Sequence, residues 1–228
     1  MMKIIIAGLM ASSLLAQGNA TSVIEISKDD KVIPTITGSD KIAREQRQLA
    51  DFTAIHASNS ANIIVTVGKA YSVEVAADDN IIGNITTTSK NGVLSIGSTG
   101  SYSTKSSPVV TITMPQLTAV KLKGSGSARI DGMRGGALEL DGTGSGGFKV
   151  SGRADLVKLN ISGSGSANLS GLDVRDADVS IYGSGSANIR ATGRLRADVF
   201  GSGNIRYSGT DDVQERVHGS GKITRLTR

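Results

Sequence analysis

Along the C-terminal half of the chain, aliphatic and polar residues alternate in short runs, and each run ends at a glycine corner. The corner reads Gly-Ser-Gly or Gly-Thr-Gly. It opens at Gly124, Gly142, Gly163, Gly183, Gly201 and Gly219, at intervals of 18 to 21 residues, and closes at Gly126, Gly144, Gly165, Gly185, Gly203 and Gly221. Two positions before each opening glycine stands an aliphatic residue: Leu122, Leu140, Ile161, Ile181, Val199 and Val217. Four positions before it the chain is again apolar at Val120, Leu138, Leu159, Val179 and Ala197, and only Glu215 departs from the rule. A period of two is the signature of a strand with one face buried. A second alternation follows each corner and places Ile130, Val150, Leu169, Ile189, Ile205 and Ile223 in corresponding positions. Each period therefore holds two strands around a glycine corner, which is one coil of a solenoid.

The pattern predicts an all-β fold: a right-handed, single-stranded parallel β-helix, or β-solenoid, with Gly-Ser-Gly corner repeats. The hand follows from the crossover rule for parallel strands. Stacked coils lie about 4.8 Å apart, so a corner must fit identical corners above and below, and glycine allows both positive φ and close backbone approach. The serine between the glycines is expected to bond to a corner amide or to the serine of the next coil. The twelve glycines are thus read as structural.

Upstream the order is less regular. Strands are expected over residues 52–57, 63–67, 71–76, 85–89, 93–96 and 109–114. Asn91-Gly92 between two of them is a tight-turn signal, since both central residues of such a turn take positive φ. The Gly/Ser/Thr-rich stretch 97–107 reads as a mobile loop. Residues 21–50 read as a lead-in segment covering the N-terminal end of the solenoid, with an extended piece at 32–36 and a helical turn or two at 42–49. Residues 1–20 carry Lys3, an apolar run from Ile4 to Ala16, and small residues at Gly18 and Ala20, the pattern of a secretory signal peptide. The solenoid domain is expected over 51–228, with regular repeats from 117.

The segments Phe52-Thr53-Ala54-Ile55, Asn62-Ile63-Ile64-Val65, Tyr71-Ser72-Val73-Glu74-Val75 and Asn91-Gly92-Val93-Leu94-Ser95-Ile96 precede a Met114-Pro115-Gln116-Leu117 step and the glycine repeats. This order resembles the bacterial family DUF2807, also labelled as an auto-transporter adhesin, head GIN domain. The resemblance covers roughly residues 50–226. It implies an exported envelope protein with a β-helix-like fold, and it brings no catalytic residues.

Charge and composition narrow the chemistry. Basic residues exceed acidic ones by 25 to 20 and are scattered, which is not the gathered basic face with stacking aromatics of a nucleic-acid binder. With no cysteine there is no disulfide and no lipidated cysteine. The glycines at 142, 144 and 147 match GxGxxG formally but belong to the repeat, and Gly219-Ser220-Gly221-Lys222 lacks the rest of a phosphate loop. Two histidines, His56 and His218, without a third ligand in sensible spacing, make no metal site, and no cofactor is expected. Of the acidic residues, Asp173, Asp176, Asp178 and Asp198 fall on adjacent coils and are the ones a polysaccharide hydrolase or lyase would use. Asp176 and Asp178 read more simply as corner residues.

The residue immediately before each corner is Lys123, Asp141, Ser162, Tyr182, Phe200 or His218, and alternation points it outward. Tyr182, Phe200 and His218 should then form an exposed strip, which either meets a ligand or partner or packs against a second copy. Together with what the family resemblance implies, the sequence leads to the expectation of a non-enzymatic, exported bacterial protein of adhesin-like character, periplasmic, outer-membrane-associated or secreted. It would bind envelope polysaccharide or a protein, as a monomer or small homo-oligomer. The alternative is a polysaccharide-processing enzyme on the same fold.

Overall fold

The computed structural model describes residues 35–226. The signal-peptide reading of residues 1–20 and the first part of the lead-in lie outside the described residues. What is described is a β-solenoid of stacked parallel coils, almost entirely strand. Two long sheets run side by side along the stack. The first is built from Ala54–Ala57, Ala119–Gly124, Ala137–Gly144, the second halves of Gly147–Gly163 and Ser166–Gly183, then Arg194–Gly201 and Asp212–Gly219, all parallel. The second contains Asn62–Val67, Ser127–Arg134, the first halves of the same two long strands, then Ser186–Ala191, Asn204–Ser208 and Lys222–Arg225. The corner joins the sheets within each coil.

The corner explains the glycines by geometry. Gly124, Gly144, Gly163, Gly183, Gly201 and Gly219 all have φ between 115° and 128°, a region that residues with a Cβ rarely enter. The closing glycine has ordinary φ but no room: a Cβ on Gly185 would stand 2.7 Å from the carbonyl oxygen of Gly165 on the coil below. Those carbonyls are engaged, since Ser184 N–H donates to Gly163 O at 2.9 Å and Ser186 N–H to Gly165 O at 3.0 Å, and the same bonds recur on the next coil. The corner serines point to solvent. Coil-to-coil bonding at the corner runs through the backbone, and the expected serine contribution is not seen.

Register corrects the sequence reading at one repeat. Gly124 pairs with Gly144, and Gly144 with Gly163, so the corner of the second coil is Gly144-Ser145-Gly146 and Gly142 is not a corner. Overlapping glycine motifs in Asp141 to Gly147 allowed the slip. Leu140 consequently lies in the ladder Val120, Leu140, Leu159, Val179, Ala197, and Leu138 pairs with Val157. The adjacent ladder reads Leu122, Gly142, Ile161, Ile181, Val199, Val217. Its gap at Gly142 is filled from the opposite sheet. There Ala128, Phe148, Ala167 and Ala187 form one ladder, and a Cβ on Gly142 would come 2.9 Å from the Phe148 ring. A large residue across from a missing one keeps the core volume constant. Ile205 and Ile223 continue this alanine ladder, while Tyr207 takes the place beside Ile189 that was assigned to Ile205.

The two ends differ. At the N-terminal end the rungs are not in chain order: Val93–Ser98 and Val109–Met114 lie outside Ala54–Ala57 and Asn62–Val67 and are parallel to them. Two reversed strands then close the stack, Ile85–Lys90 on Val93–Ser98 and Ser72–Asp78 on Val109–Met114. The stretch expected to be helical is the strand Ile42–Arg47, antiparallel on Ser72–Asp78, where its alternation lets one side touch the end of the core. The expected loop at 97–107 contains a strand, Ser101–Ser103, paired with Thr35–Thr37. The Asn91-Gly92 turn is as predicted, with φ of 53° and 77°.

At the other end Asp212–Gly219 and Lys222–Arg225 have no strand beyond them among the described residues. Val217 is exposed there rather than buried, because nothing stacks on it. Glu215 occupies the inward column below which Ala197 is fully buried. Tyr207 lies near it, with its phenol raised above the ordinary pKa first by burial and then by the neighbouring Glu215 carboxylate. A charge aimed over the end of the core is a recognised protection of an open edge.

Two outcomes test this account. Gly142→Leu should lower stability by about 1–3 kcal/mol through overpacking, and Phe148→Ala added to it should restore part of the loss, measured as non-additivity in urea unfolding. Ile181→Asp places a carboxylate at a fully buried ladder position and should abolish cooperative folding, read by near-UV dichroism and thermal melting.

Candidate functional site

The outer face of the first sheet carries the residues of interest, because the position before each corner points away from the core. The structure brings Tyr182, Phe200 and His218 into one column on successive rungs. Tyr182 and Phe200 have ring centroids 5.0 Å apart and planes within 4°, and Phe200 and His218 are 5.0 Å apart within 7°. Locked register at Gly183, Gly201 and Gly219 forces this coincidence. Tyr182 is 49% exposed and Phe200 38%. The rings face each other, so both faces of Phe200 are covered and the strip presents ring edges to solvent. Two outer faces stay open: that of Tyr182 toward the next rung, where Ser162 is too short to cover it, and that of exposed His218 on the last described rung. The rest of the column is Thr143 and Lys123. Asp141 lies two positions back, a consequence of the corrected register.

Beside the stack lies Asp198, whose side chain is only 7% exposed on an outer face. Arg196 Nε donates to Oδ2 at 2.9 Å, and Arg216 Nε is 3.0 Å from Oδ1 in poorer hydrogen-bond alignment, so Arg216 contributes mainly charge. Of the other carboxylates singled out from the sequence, Asp173 and Asp176 are also engaged. Asp176 accepts from the backbone N–H of Arg194 at 2.9 Å and contacts Arg175, and these hold its carboxyl below the usual range. Asp173 is 3.7 Å from Arg190, and Asp178 stands beside Arg196 in the ladder. On the second sheet, Arg129 and the Ser151 hydroxyl hold Asp131 low in the same way. Asp176 and Asp178 line one shallow pocket together with Arg175, Arg194 and Arg196.

Sequence reasoning missed a second feature on the same face. Near the N-terminal end an open groove of about 510 Å³ crosses five strands, with His56, Ser58, Gly97, Lys121, Lys123 and Thr143 among its lining residues. Its strands come from distant parts of the chain, and the only cue in the sequence was that each contributes outward polar residues. Among the described residues no group of three or more His, Cys, Asp or Glu is placed to hold a metal ion, and no helix is long and apolar enough to cross a membrane.

Stacked parallel coils joined by recurring glycine corners define the class of β-solenoid repeat proteins. The sequence profile of DUF2807, described as "Putative auto-transporter adhesin, head GIN domain", matches residues 51–210, and the chain belongs to that family. Solved structures share the fold. A crystal structure named as a putative adhesin from Bacteroides fragilis has a TM-score of 0.65 at 23% identity, covering 84% of this chain and 100% of that one. One of the same description from Parabacteroides distasonis gives 0.58 at 22%, covering 85% and 100%. A third, named as a putative lipid binding protein from the same species, gives 0.51 at 23%, covering 85% and 100%. No curated protein matches the chain by sequence.

The depressed carboxyls give a pH prediction. A group whose folded pKa is lowered adds stability that is complete above its unfolded pKa and disappears as pH falls through the folded value. Asp131 and Asp176 should therefore make the protein lose stability below the ordinary carboxylate range. In Asp131→Asn and Asp176→Asn variants the acid limb of the melting-temperature profile should flatten, while the neutral limb shifts down slightly.

Proposed function

We propose that this is an exported, non-enzymatic binding protein of the bacterial envelope, adhesin-like, that contacts polysaccharide or a protein partner through the outer face of the first sheet. The observation that carries the reading is the Tyr182, Phe200, His218 stack, an exposed aromatic column on the outer sheet face that is left uncovered among the described residues. A single-sided apolar strip of this kind marks a contact surface. Family membership supports the adhesin-like character, and the N-terminal apolar segment with its small-residue end supports export. A sugar ring would stack on the open face of Tyr182 or lie along the ring edges, and Arg196 and Arg216 supply donors beside them.

A carbohydrate array with the purified protein tests this, followed by product analysis. Retention without cleavage, reduced about tenfold or more in a Tyr182→Ser, Phe200→Ser double variant, is the expected outcome. New reducing or unsaturated ends would instead mark a polysaccharide-processing enzyme.

On this reading the protein is a monomer or a small side-by-side oligomer, because end-to-end stacking at the C-terminal rung would bury the Glu215 carboxylate. Sedimentation should show no filaments for the wild type. Glu215→Val should promote tail-to-tail association, whereas any side-by-side oligomer should dissociate in the Tyr182→Ser, Phe200→Ser variant.

A further inference from the structure

The groove at the N-terminal end of the first sheet lies on the same face as the aromatic stack but is chemically different from it. Its floor is made of short side chains. Ser58 and Gly97 stand on neighbouring rungs, and a Cβ on Gly97 would meet the Thr86 hydroxyl at 3.1 Å. Long side chains rise beside that floor: Lys121 and Lys123 from Ala119–Gly124, with half-buried His56 on the adjacent strand, paired with Lys121. Lys123 makes no ion pair among the described residues, and Lys121 has only a loose one, 3.8 Å from Glu139. Asp141 and Thr143 close the far side with an acceptor and a hydroxyl.

Two under-used ammonium groups above a floor rich in hydroxyls are the complement of a polyhydroxylated ring that bears an anionic group. Hydroxyls and Asp141 can serve the ring hydroxyls, while the lysines serve the anion with charge-assisted hydrogen bonds. We infer that this groove is a second ligand site, for a carboxylated sugar residue of an acidic polysaccharide. The inference rests on the reading of this face as a contact surface and names the class of ligand. From the Lys123 rung to the Tyr182 rung the column passes through Thr143 and Ser162, three steps of about 4.8 Å. An extended glycan lying along the stack would thus reach both sites at once, and joining two weak sites on one chain multiplies their affinity.

Calorimetric titration of the purified protein with two probes tests the assignment: an oligogalacturonate for the acidic class and a neutral glucan oligosaccharide of equal length. The wild type should bind the oligogalacturonate, with affinity falling as salt rises. A Lys121→Gln, Lys123→Gln variant should lose about tenfold or more of that affinity. The variant's melting temperature should stay near wild type, since both side chains are exposed. Oligogalacturonate binding that is unchanged in the lysine variant, or the absence of such binding in the wild type, overturns the inference. Loss of glycan binding in the Tyr182→Ser, Phe200→Ser variant with the lysine variant unaffected would leave the contact-face reading standing and remove the groove from it.

Discussion

Everything in this structure depends on the contact between each corner glycine and the carbonyl oxygen beneath it, which belongs to Asn59 and Ala61 under Gly124 and Gly126 and to a corner glycine on every later coil. The carbonyl accepts a backbone N–H from the next coil, and that bond forms only if the two backbones approach closer than a Cβ allows. A corner with a side chain would lift one coil off another and break the ladder locally. The positive φ at the opening glycine and the missing volume at the closing glycine are therefore separate demands met by one residue type. Register follows, because a glycine must sit over each of these carbonyls and the flanking strands inherit their pairing from it. The aromatic stack is a by-product of this lock: Tyr182, Phe200 and His218 each precede a locked glycine and have no freedom to be out of line.

With register fixed, size must be balanced within a coil. Inward ladders are mostly Val, Ile and Leu on the first sheet and include several alanines on the second, a large-to-small match across a narrow core. The coil with Gly142 inverts the match by placing Phe148 opposite it, which is why a glycine in a ladder position leaves no cavity. The ends obey a different rule, since the ladder of backbone bonds has to stop. The N-terminal end stops by reversing strand direction, so that Ile85–Lys90 and Ser72–Asp78 meet the last parallel rungs without offering another parallel edge. At the last described rung the Glu215 carboxylate lies near Tyr207, and a charge there discourages further strand pairing.

Much of this was legible in the sequence, and the failures have one cause. Period-two alternation and recurring glycines identified strands, corners and most buried residues, because those signals are local. Identity of a column is not local. Asp141 to Gly147 contains two overlapping corner motifs, and only pairing with the neighbouring coils chooses between them. Ile205 and Tyr207 are both apolar and both buried, so the sequence alone could not place them in their ladders. The reordering of the first rungs was equally invisible, since parallel pairing of Val93–Ser98 with Ala54–Ala57 joins segments separated by three intervening strands. The aromatic column was legible because its repeats carry an unambiguous corner. The groove was not, because it exists only where five strands from three parts of the chain lie side by side.

Stacking also changes what the aromatic column can do. An isolated exposed ring offers a face to a ligand, whereas a ring between two parallel rings has given both faces to its neighbours. Ring pairs of this kind contribute about 0.5–1.5 kcal/mol beyond the area they bury, so part of the column's value lies in stiffening the sheet. What the column leaves exposed is ring edges, which are weakly positive, and the outer faces of Tyr182 and His218 at its two ends. Such contacts are individually weak and repeat at the rung spacing. A surface of this design favours an elongated ligand that meets many rungs over a compact one that meets one or two, since only the former gathers enough contacts to offset the freedom lost on binding.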